Sequence, residues 1–227
     1  EMGRRGACLL LHHTGNNNDY KKLEIELNKM NCDFEFHSCD FKNKNEINEF
    51  TNSLISKHKK IHYLIHAAGV TENYKENLFP SDNEMMQINC FAPAEISKNL
   101  LPHLKETVLY LGTAAEDIPI EGFSGMLASK ACLHGMAGSA AGEFISKGIR
   151  TIYYMAAILD KGSSTKIPEK KAFNFMLKNG QETPIHIKDV AHRIVSSLYI
   201  PKVLGVNNSY EGPMVVRRDG YVLKTDV

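Results

Sequence analysis

The residues best suited to chemistry lie in one run, Met126-Leu127-Ala128-Ser129-Lys130-Ala131. Met126 and Lys130 are four apart, which on a helix puts both side chains on one face. An ammonium there lowers the pKa of an acid beside it by favouring the conjugate base. Met126 supplies no such acid: a thioether has no proton to donate, and no tyrosine lies within a turn of it. The plainer reading of Lys130 is a solvated helix lysine. His66-Ala67-Ala68-Gly69 closes an apolar run. Its small residues allow either a close approach of backbone to a ligand or a plain tight turn. The ten histidines contain no metal-ligand spacing such as HExxH, and no metal site is expected. His12 and His13 are adjacent and so point to opposite faces of a strand. The five cysteines, Cys8, Cys32, Cys39, Cys90 and Cys132, are widely spaced and form no CxxC. That is the pattern of free buried thiols in a reducing cytoplasm.

Positioning these groups falls to alternating strands and helices. Ala7–Leu11 reads as a buried strand, Thr14–Asn18 as a polar loop, and Asp19 as the cap of a helix running to about Met30. A strand at Phe34–Phe36 ends near Cys39-Asp40; Ile47, Phe50, Leu54 and Ile55 then have helical spacing. The strand Ile61–Ile65 leads to a long helix from about Glu84 to Leu104 and the strand Thr107–Leu111. A second long helix, Ser124–Lys147, is rich in Ala, Gly and Ser, as suits packing on both sides. The strand Arg150–Met155, a polar loop from Lys161 to Lys171, the helix Ile187–Leu198 and the strand Met214–Val216 complete the chain. Mostly apolar strands alternating with helices predict a parallel sheet covered on both faces. With right-handed crossovers this becomes a doubly wound, Rossmann-like α/β fold of three layers, α/β/α, with ligands at the carboxyl ends of the strands. No repeat or low-complexity tract interrupts it, so a single domain over residues 1–227 is expected.

The order of these segments resembles the short-chain dehydrogenase/reductase superfamily over essentially the whole chain. It is most similar to the 3-oxoacyl-carrier-protein reductases. His66-Ala67-Ala68-Gly69 resembles the family's Asn-Asn-Ala-Gly, where small residues let backbone lie against the cofactor. Asp40, followed by Phe41, stands where the family places an acidic residue against the adenine. Asn89, in Met86-Gln87-Ile88-Asn89-Cys90, matches the helix asparagine that holds the catalytic lysine's water. Thr113 matches the substrate-orienting serine. Ser129-Lys130 match the end of Tyr-x-x-Ser-Lys, with Met126 at the tyrosine position. Gly148-Ile149-Arg150 and Met214 to Gly220 match the closing elements. The resemblance therefore implies a catalytic set of Asn89, Thr113, Met126 and Lys130. It implies a cofactor-binding set of His13, Thr14, Asp40, Phe41, Ala67, Ala68, Gly69, Lys130, Ala156 and Ala157. In the family a phenol protonates a carbonyl oxygen while hydride arrives from the nicotinamide. The lysine lowers the phenol's pKa, and the hydroxyl holds the carbonyl in place. Asn89 and Thr113 can equally be read as satisfying backbone groups. His134 and Tyr154 are either stand-in proton donors or packing residues.

The departures from the family concentrate in the cofactor and catalytic region. Met126 replaces the tyrosine, Ala156-Ala157 replace a Pro-Gly that guides the nicotinamide end, and His66 replaces the first asparagine. The glycine-rich phosphate loop is also missing. Thr14-Gly15-Asn16-Asn17-Asn18 is not its remnant, because Asp40 follows too closely. The expectation is that Ala7–Leu11 is the second strand of the fold and Glu1–Gly6 the end of its first helix, with the first strand and loop upstream of Glu1. A chain starting at Met2 would lack that cradle, and nucleotide binding would become doubtful. His12, His13, Thr14 and Asn16 would then follow the strand that selects between 2′-hydroxyl and 2′-phosphate. No Asp or Glu ends that strand, which tilts the cofactor toward NADP over NAD.

Composition sets the outer bounds. The chain has 227 residues, 43% hydrophobic and 23% charged, with a net charge of +1. Such a balance argues against a nucleic-acid partner. No apolar run reaches the roughly 18 residues of a membrane span, and no signal peptide is visible, so a cytoplasmic protein is expected. Phe173, Phe175 and Met176, among lysines between Lys161 and Gln181, suit a lid over an acyl chain on an acidic carrier, or an ordinary amphipathic lid helix. The functional expectation is an NAD(P)-linked reductase of a 3-oxoacyl thioester or similar ketone with altered proton delivery. Its substrate would be a small molecule or one bound to an acyl carrier. The competing expectation is a catalytically silent homologue in a homo- or hetero-oligomer built through the two long helices. A non-redox isomerisation or cyclisation is a third.

Overall fold

The computed structural model describes residues 1–15, 19–71, 83–116, 120–156, 158–161, 167–178 and 182–199, together with the backbone of 210–217 and 220–223. The chain divides into two compact units, Glu1–Lys59 and Lys60–Val227.

In the first unit a 3₁₀ turn at Gly3–Arg5, closed by Gly6 in the left-handed region (φ 81°), stands where the end of a helix was expected. The elements that follow are β1 (Leu9–His13), α1 (Asp19–Lys29), β2 (Phe34–Ser38) and α2 (Lys44–Lys57). β1 and β2 pair in parallel. β1 begins two residues later than the sequence suggests and includes both histidines, because their rings act as apolar surface. His12 stacks on Phe41 with centroids 3.9 Å apart, and His13 on Tyr20 at 4.5 Å. The two imidazoles thus meet different partners, as strand alternation requires. Asn43 caps α2 by accepting from the N–H groups of Asn45 and Glu46, while Glu46 reaches back to the Asn43 amide at 3.0 Å and the Asp40 N–H at 2.8 Å. This reciprocal cap fixes the turn after β2.

The second unit carries a sheet in the order β3 (Ile61–His66), β4 (Leu104–Thr113), β5 (Arg150–Ala156), β6 (Tyr210–Arg217) and β7 (Gly220–Leu223). β3 through β6 run parallel. β7 departs from the expected pattern by pairing antiparallel with β6, since two intervening residues are too few for a parallel crossover. The single sheet expected from strand–helix alternation is met as two sheets, one of β1 and β2 in parallel and one of β3 to β7 in which all but the last strand are parallel. Alternation predicts strands and their direction but not which neighbours hydrogen-bond. The fold is α/β and Rossmann-like.

Helical segments join the parallel strands. Between β3 and β4 lie α3 (Asn83–Met86), a π-helical turn (Gln87–Phe91) and α4 (Ala92–Leu100). Pro93 has no N–H to give the Asn89 carbonyl four residues back, which opens the helix there. α5 (Ser124–Ser146) joins β4 to β5 and buries one stripe, Ser129, Leu133, Ala137, Ala141 and Phe144. As expected it packs on two sides, against β4 and β5 and against α3, the π-helical turn and α4, leaving Ala128, Ala131, Gly135 and Ser139 exposed. α6 (Glu169–Lys178) begins inside the segment read as a polar loop. It turns Phe175 and Met176 into a cluster with Ala114, Ala115, Ile120, Phe123 and Ile158, and leaves Phe173 exposed. α7 (Ile187–Leu198) buries Val190, Val195 and Leu198. No described helix is long and apolar enough to cross a membrane.

One expectation about thiols is overturned. Cys90 and Cys132 form a disulfide with Cα atoms 6.0 Å apart, and Cys8 is exposed. The residues are 42 apart in sequence but sit on facing turns of the π-helical segment and α5, a proximity no local spacing reveals.

Candidate functional site

The second unit brings Asn89, Ser129 and Lys130 together, as the sequence suggests. The amide of Asn89 is fully buried. Its Oδ1 accepts from the Val70 N–H at 2.8 Å; its Nδ2 donates to Val70 O at 2.8 Å and to Ser129 Oγ at 2.9 Å. It thereby clamps the segment after β3 against α5. Ser129 Oγ in turn donates to Met126 O at 2.8 Å. Gly69 is needed beside this clamp: a Cβ there would lie 3.1 Å from Asn89 Oδ1 and 3.5 Å from Lys130 Nζ.

Lys130 Nζ donates to Leu111 O at 2.7 Å. Burial pulls its pKa down to about 8, while the nearby Glu116 carboxylate pushes the other way. His66, expected at the start of a loop motif, is instead buried at the end of β3. Its Nε2 meets Ser97 Oγ at 2.8 Å, which also accepts from the Tyr110 hydroxyl at 2.8 Å, and its ring stacks on Tyr110. Burial, with the Lys130 charge beside it, lowers its pKa to about 3, so His66 is neutral.

Thr113 ends β4. Its Oγ1 accepts from the Ala115 N–H at 3.2 Å, a backbone role that leaves its proton available to a partner. Met126 packs against the cluster of Ala114, Phe123 and Phe175. Ala67 and Ala68 are exposed at the end of β3, and Ala156 is buried at the end of β5. Ala157 lies outside the described residues. In the first unit His13 Nδ1 accepts from the Gly15 N–H at 2.9 Å, and Thr14 is exposed. Asp40 accepts from the Lys42 N–H at 3.0 Å, and Phe41 is buried under His12.

Glu116 was missed by the sequence reading. It follows β4 in a 3₁₀ turn, and its side chain is only 7% exposed. Oε1 accepts from the Thr113 N–H at 3.2 Å and the Tyr153 hydroxyl at 2.5 Å, and Oε2 meets His134 Nδ1 at 3.1 Å. The Tyr153 hydroxyl also lies 3.0 Å from Lys130 O, and its ring stacks on His134. A Cβ on Gly112 would overlap that ring. His134 and Tyr154 had been weighed as stand-in acids; His134 belongs to this cluster, and Tyr154 is fully buried in β5. Among the described residues no group of three or more His, Cys, Asp or Glu could hold a metal ion.

Residues 1–196 match the family model described as enoyl-(acyl carrier protein) reductase. The chain belongs to the short-chain dehydrogenase/reductase family. Solved structures of the same fold include a metagenomic short-chain oxidoreductase in complex with NADP, 19% identical with a TM-score of 0.72, the match covering 95% of this chain and 88% of that one. The angucycline C-6 ketoreductase LanV with bound NADP is 14% identical with a TM-score of 0.75, over 87% of this chain and 80% of that one. An alcohol dehydrogenase from the archaeon Thermococcus sibiricus, complexed with 5-hydroxy-NADP, is 16% identical with a TM-score of 0.75, over 95% and 88%. A sequence search of curated proteins finds no match. In this short-chain dehydrogenase/reductase Asn89 and Lys130 both lie beside Gly69, and Thr113 ends β4.

Proposed function

We propose that the chain is an NADP-linked oxidoreductase of a 3-oxoacyl thioester or a related ketone, folded as one domain, in which proton delivery no longer uses a phenol at position 126. The observation that carries this reading is Lys130: a desolvated ammonium beside Gly69, in the exposed run Ala67-Ala68-Gly69 that follows β3. Backbone with so little side chain suits the close approach of a nucleotide. Lys130, Gly69 and the exposed Ala67-Ala68 would hold its ribose end, and Ala156 would meet the nicotinamide end. When bound, the cofactor supplies hydride. The chain's own residues do the rest. Thr113 Oγ would donate a hydrogen bond that orients the substrate oxygen, Lys130 would hold the ribose, and Met126 would close the apolar side. NADP-bound neighbours of the same fold support the choice of cofactor. The proton must come from water or another acid. A missing positioned acid costs about 10²- to 10⁴-fold, so turnover is slow. The test is NADPH oxidation with acetoacetyl thioesters. Rates above those of Lys130→Ala support the reading; equal rates refute it.

One observation favours the second reading, a silent partner subunit. α5 exposes Ala128, Ala131, Gly135 and Ser139, and Phe91 and Met136 are exposed near them. This face suits packing of helix on helix in a homo- or hetero-oligomer. Co-purification of an active relative from the native host would support it, and a homo-oligomer with robust turnover would refute it.

A further inference from the structure

We propose that the Cys90–Cys132 disulfide is a thiol-exchange site, opened at Cys132 by a thiol of low molecular weight, whose state sets how firmly the segment after β3 is held. The bridge joins the π-helical turn to α5. The same two elements carry the asparagine clamp. Asn89, next to Cys90, bonds through its amide to Ser129 Oγ. Ser129 stands just under one helical turn before Cys132. That amide also holds both backbone groups of Val70, the residue after Gly69. A covalent tie and a hydrogen-bonded clamp thus lie side by side between one pair of elements. Pro93 interrupts the helical ladder at the Asn89 carbonyl, so the bridge fastens a turn whose own hydrogen bonding is irregular.

The two sulfurs differ in access. Cys90 is fully buried, and Cys132 is partly exposed. Met136, about one turn beyond Cys132, brings its Sδ to 3.1 Å from Cys90 Sγ and 3.8 Å from Cys132 Sγ, so it covers the buried sulfur from the α5 side. Of the neighbours of Cys132 on the helix surface, Ala128 and Gly135 are exposed and small, and a Cβ on Gly135 would meet nothing within 4 Å. A thiolate can therefore approach Cys132 and not Cys90. Exchange needs attack on one sulfur with the other as leaving group. The external thiolate bonds to Cys132 Sγ, the Cys90–Cys132 bond breaks, and its electron pair leaves on Cys90 Sγ, which takes a proton from water. A second thiolate attacks the external sulfur of the mixed disulfide, and Cys132 leaves as a thiolate that is protonated in turn. Two electrons pass to the protein, which gains two thiols, while two external thiols become one disulfide. The reverse exchange with that disulfide closes the bridge again. With the bridge open, hydrogen bonds and packing alone hold Asn89 to α5, and the clamp on Val70 opens more often.

The experiment treats the oxidised protein with glutathione under native conditions, quenches with acid, and maps the first mixed disulfide by mass spectrometry. Peptide mapping separates Cys90 and Cys132 from the exposed Cys8. Amide exchange of Val70 and of β5 is followed by NMR in the oxidised and reduced proteins. The expected result is glutathione on Cys132 in at least about tenfold excess over Cys90. Reduction should speed exchange at Val70 about tenfold more than in β5. First attack divided evenly between the two sulfurs, or seen only in urea that unfolds the chain, overturns the inference. Exchange that rises by one factor in Val70 and β5 also overturns it, since a bridge that only holds the fold together gives that result, as does a reduced chain that unfolds. Neither readout uses a nucleotide. A protein that binds no NADPH therefore loses the proposed function and keeps this inference, while an inert bridge in a protein that binds NADPH does the reverse.

Discussion

Replacing Lys130 by methionine removes a buried ammonium and leaves an unbranched side chain of similar length. Burial lowers the lysine pKa from its ordinary 10.5 to about 8. Each tenfold is worth about 1.4 kcal/mol, so keeping this amine charged in the fold costs about 3 kcal/mol at neutral pH. One loss offsets the gain from removing it: the Leu111 carbonyl loses a donor, worth about 1 kcal/mol. Lys130→Met is therefore expected to be more stable than wild type by about 2 kcal/mol at pH 7, as replacements of buried charges often are.

The sign can be checked by pH. A cation whose folded pKa is depressed binds fewer protons in the folded state than in the unfolded state. Between pH 8 and 10.5 wild-type stability therefore rises with pH. The advantage of Lys130→Met should shrink by about 2 kcal/mol on going from about pH 7 to about pH 9.5. The chain has no tryptophan, so urea unfolding followed by far-UV circular dichroism at both pH values is the assay. A variant less stable than wild type at pH 7, or an advantage that does not change with pH, would refute the claim that Lys130 is held charged at a cost.

Other perturbations address other parts of the site. His66 has a folded pKa lowered to about 3, so its stabilisation is present above pH 6.5 and lost as pH falls toward 3; His66→Asn should flatten the acid limb of a stability–pH profile, and an unchanged limb would count against a buried neutral imidazole. Gly112→Ala drives a methyl into the Tyr153 ring and should cost about 1–3 kcal/mol in urea unfolding; a neutral result would mean Tyr153 moves freely. Cys90→Ser opens a bridge between residues 42 apart and should cost about 4 kcal/mol under oxidising conditions; reductant should weaken wild type by the same amount and leave the variant unchanged. Met126→Tyr returns a phenol four residues before Lys130 and should raise NADPH-dependent ketone reduction by about 10²- to 10⁴-fold; no rise with nucleotide binding intact would point to the silent reading.

The sheet of the second unit was legible because β3, β4 and β5 are nearly continuous apolar runs, and their ends fell within a few residues of expectation. Asn89, Ser129 and Lys130 were legible because each stands in a motif, and the structure bonds Asn89 to Ser129, with Lys130 next along α5 bonded to Leu111 O. What stayed hidden depends on partners distant in sequence. Glu116 sits in Ala114-Ala115-Glu116-Asp117, a run with no periodicity. Its burial is visible only once Tyr153, 37 residues on, and His134, 18 residues on, are seen to meet it. The disulfide hid for the same reason. β1 was placed early because His12 and His13 were counted as polar, whereas aromatic stacking makes them part of the packed surface. The π-helical turn did have a signal, Pro93, four residues beyond Asn89, and it went unused.

The two readings of this chain part over why a buried lysine is there at all. A scaffold needs only the packing, and an apolar residue at position 130 would pack at less cost than an ammonium. A silent site free to drift loses such groups first, since most routes to greater stability pass through replacing them. Here Met126 packs into the apolar cluster, yet the ammonium of Lys130, four residues on, is buried. It has a glycine beside it where a Cβ would crowd both Asn89 and Lys130, and an asparagine clamp fixing the segment after that glycine. Those features serve a charge that must be present and in place, and they favour a site that binds a nucleotide over a surface that only mates with another subunit.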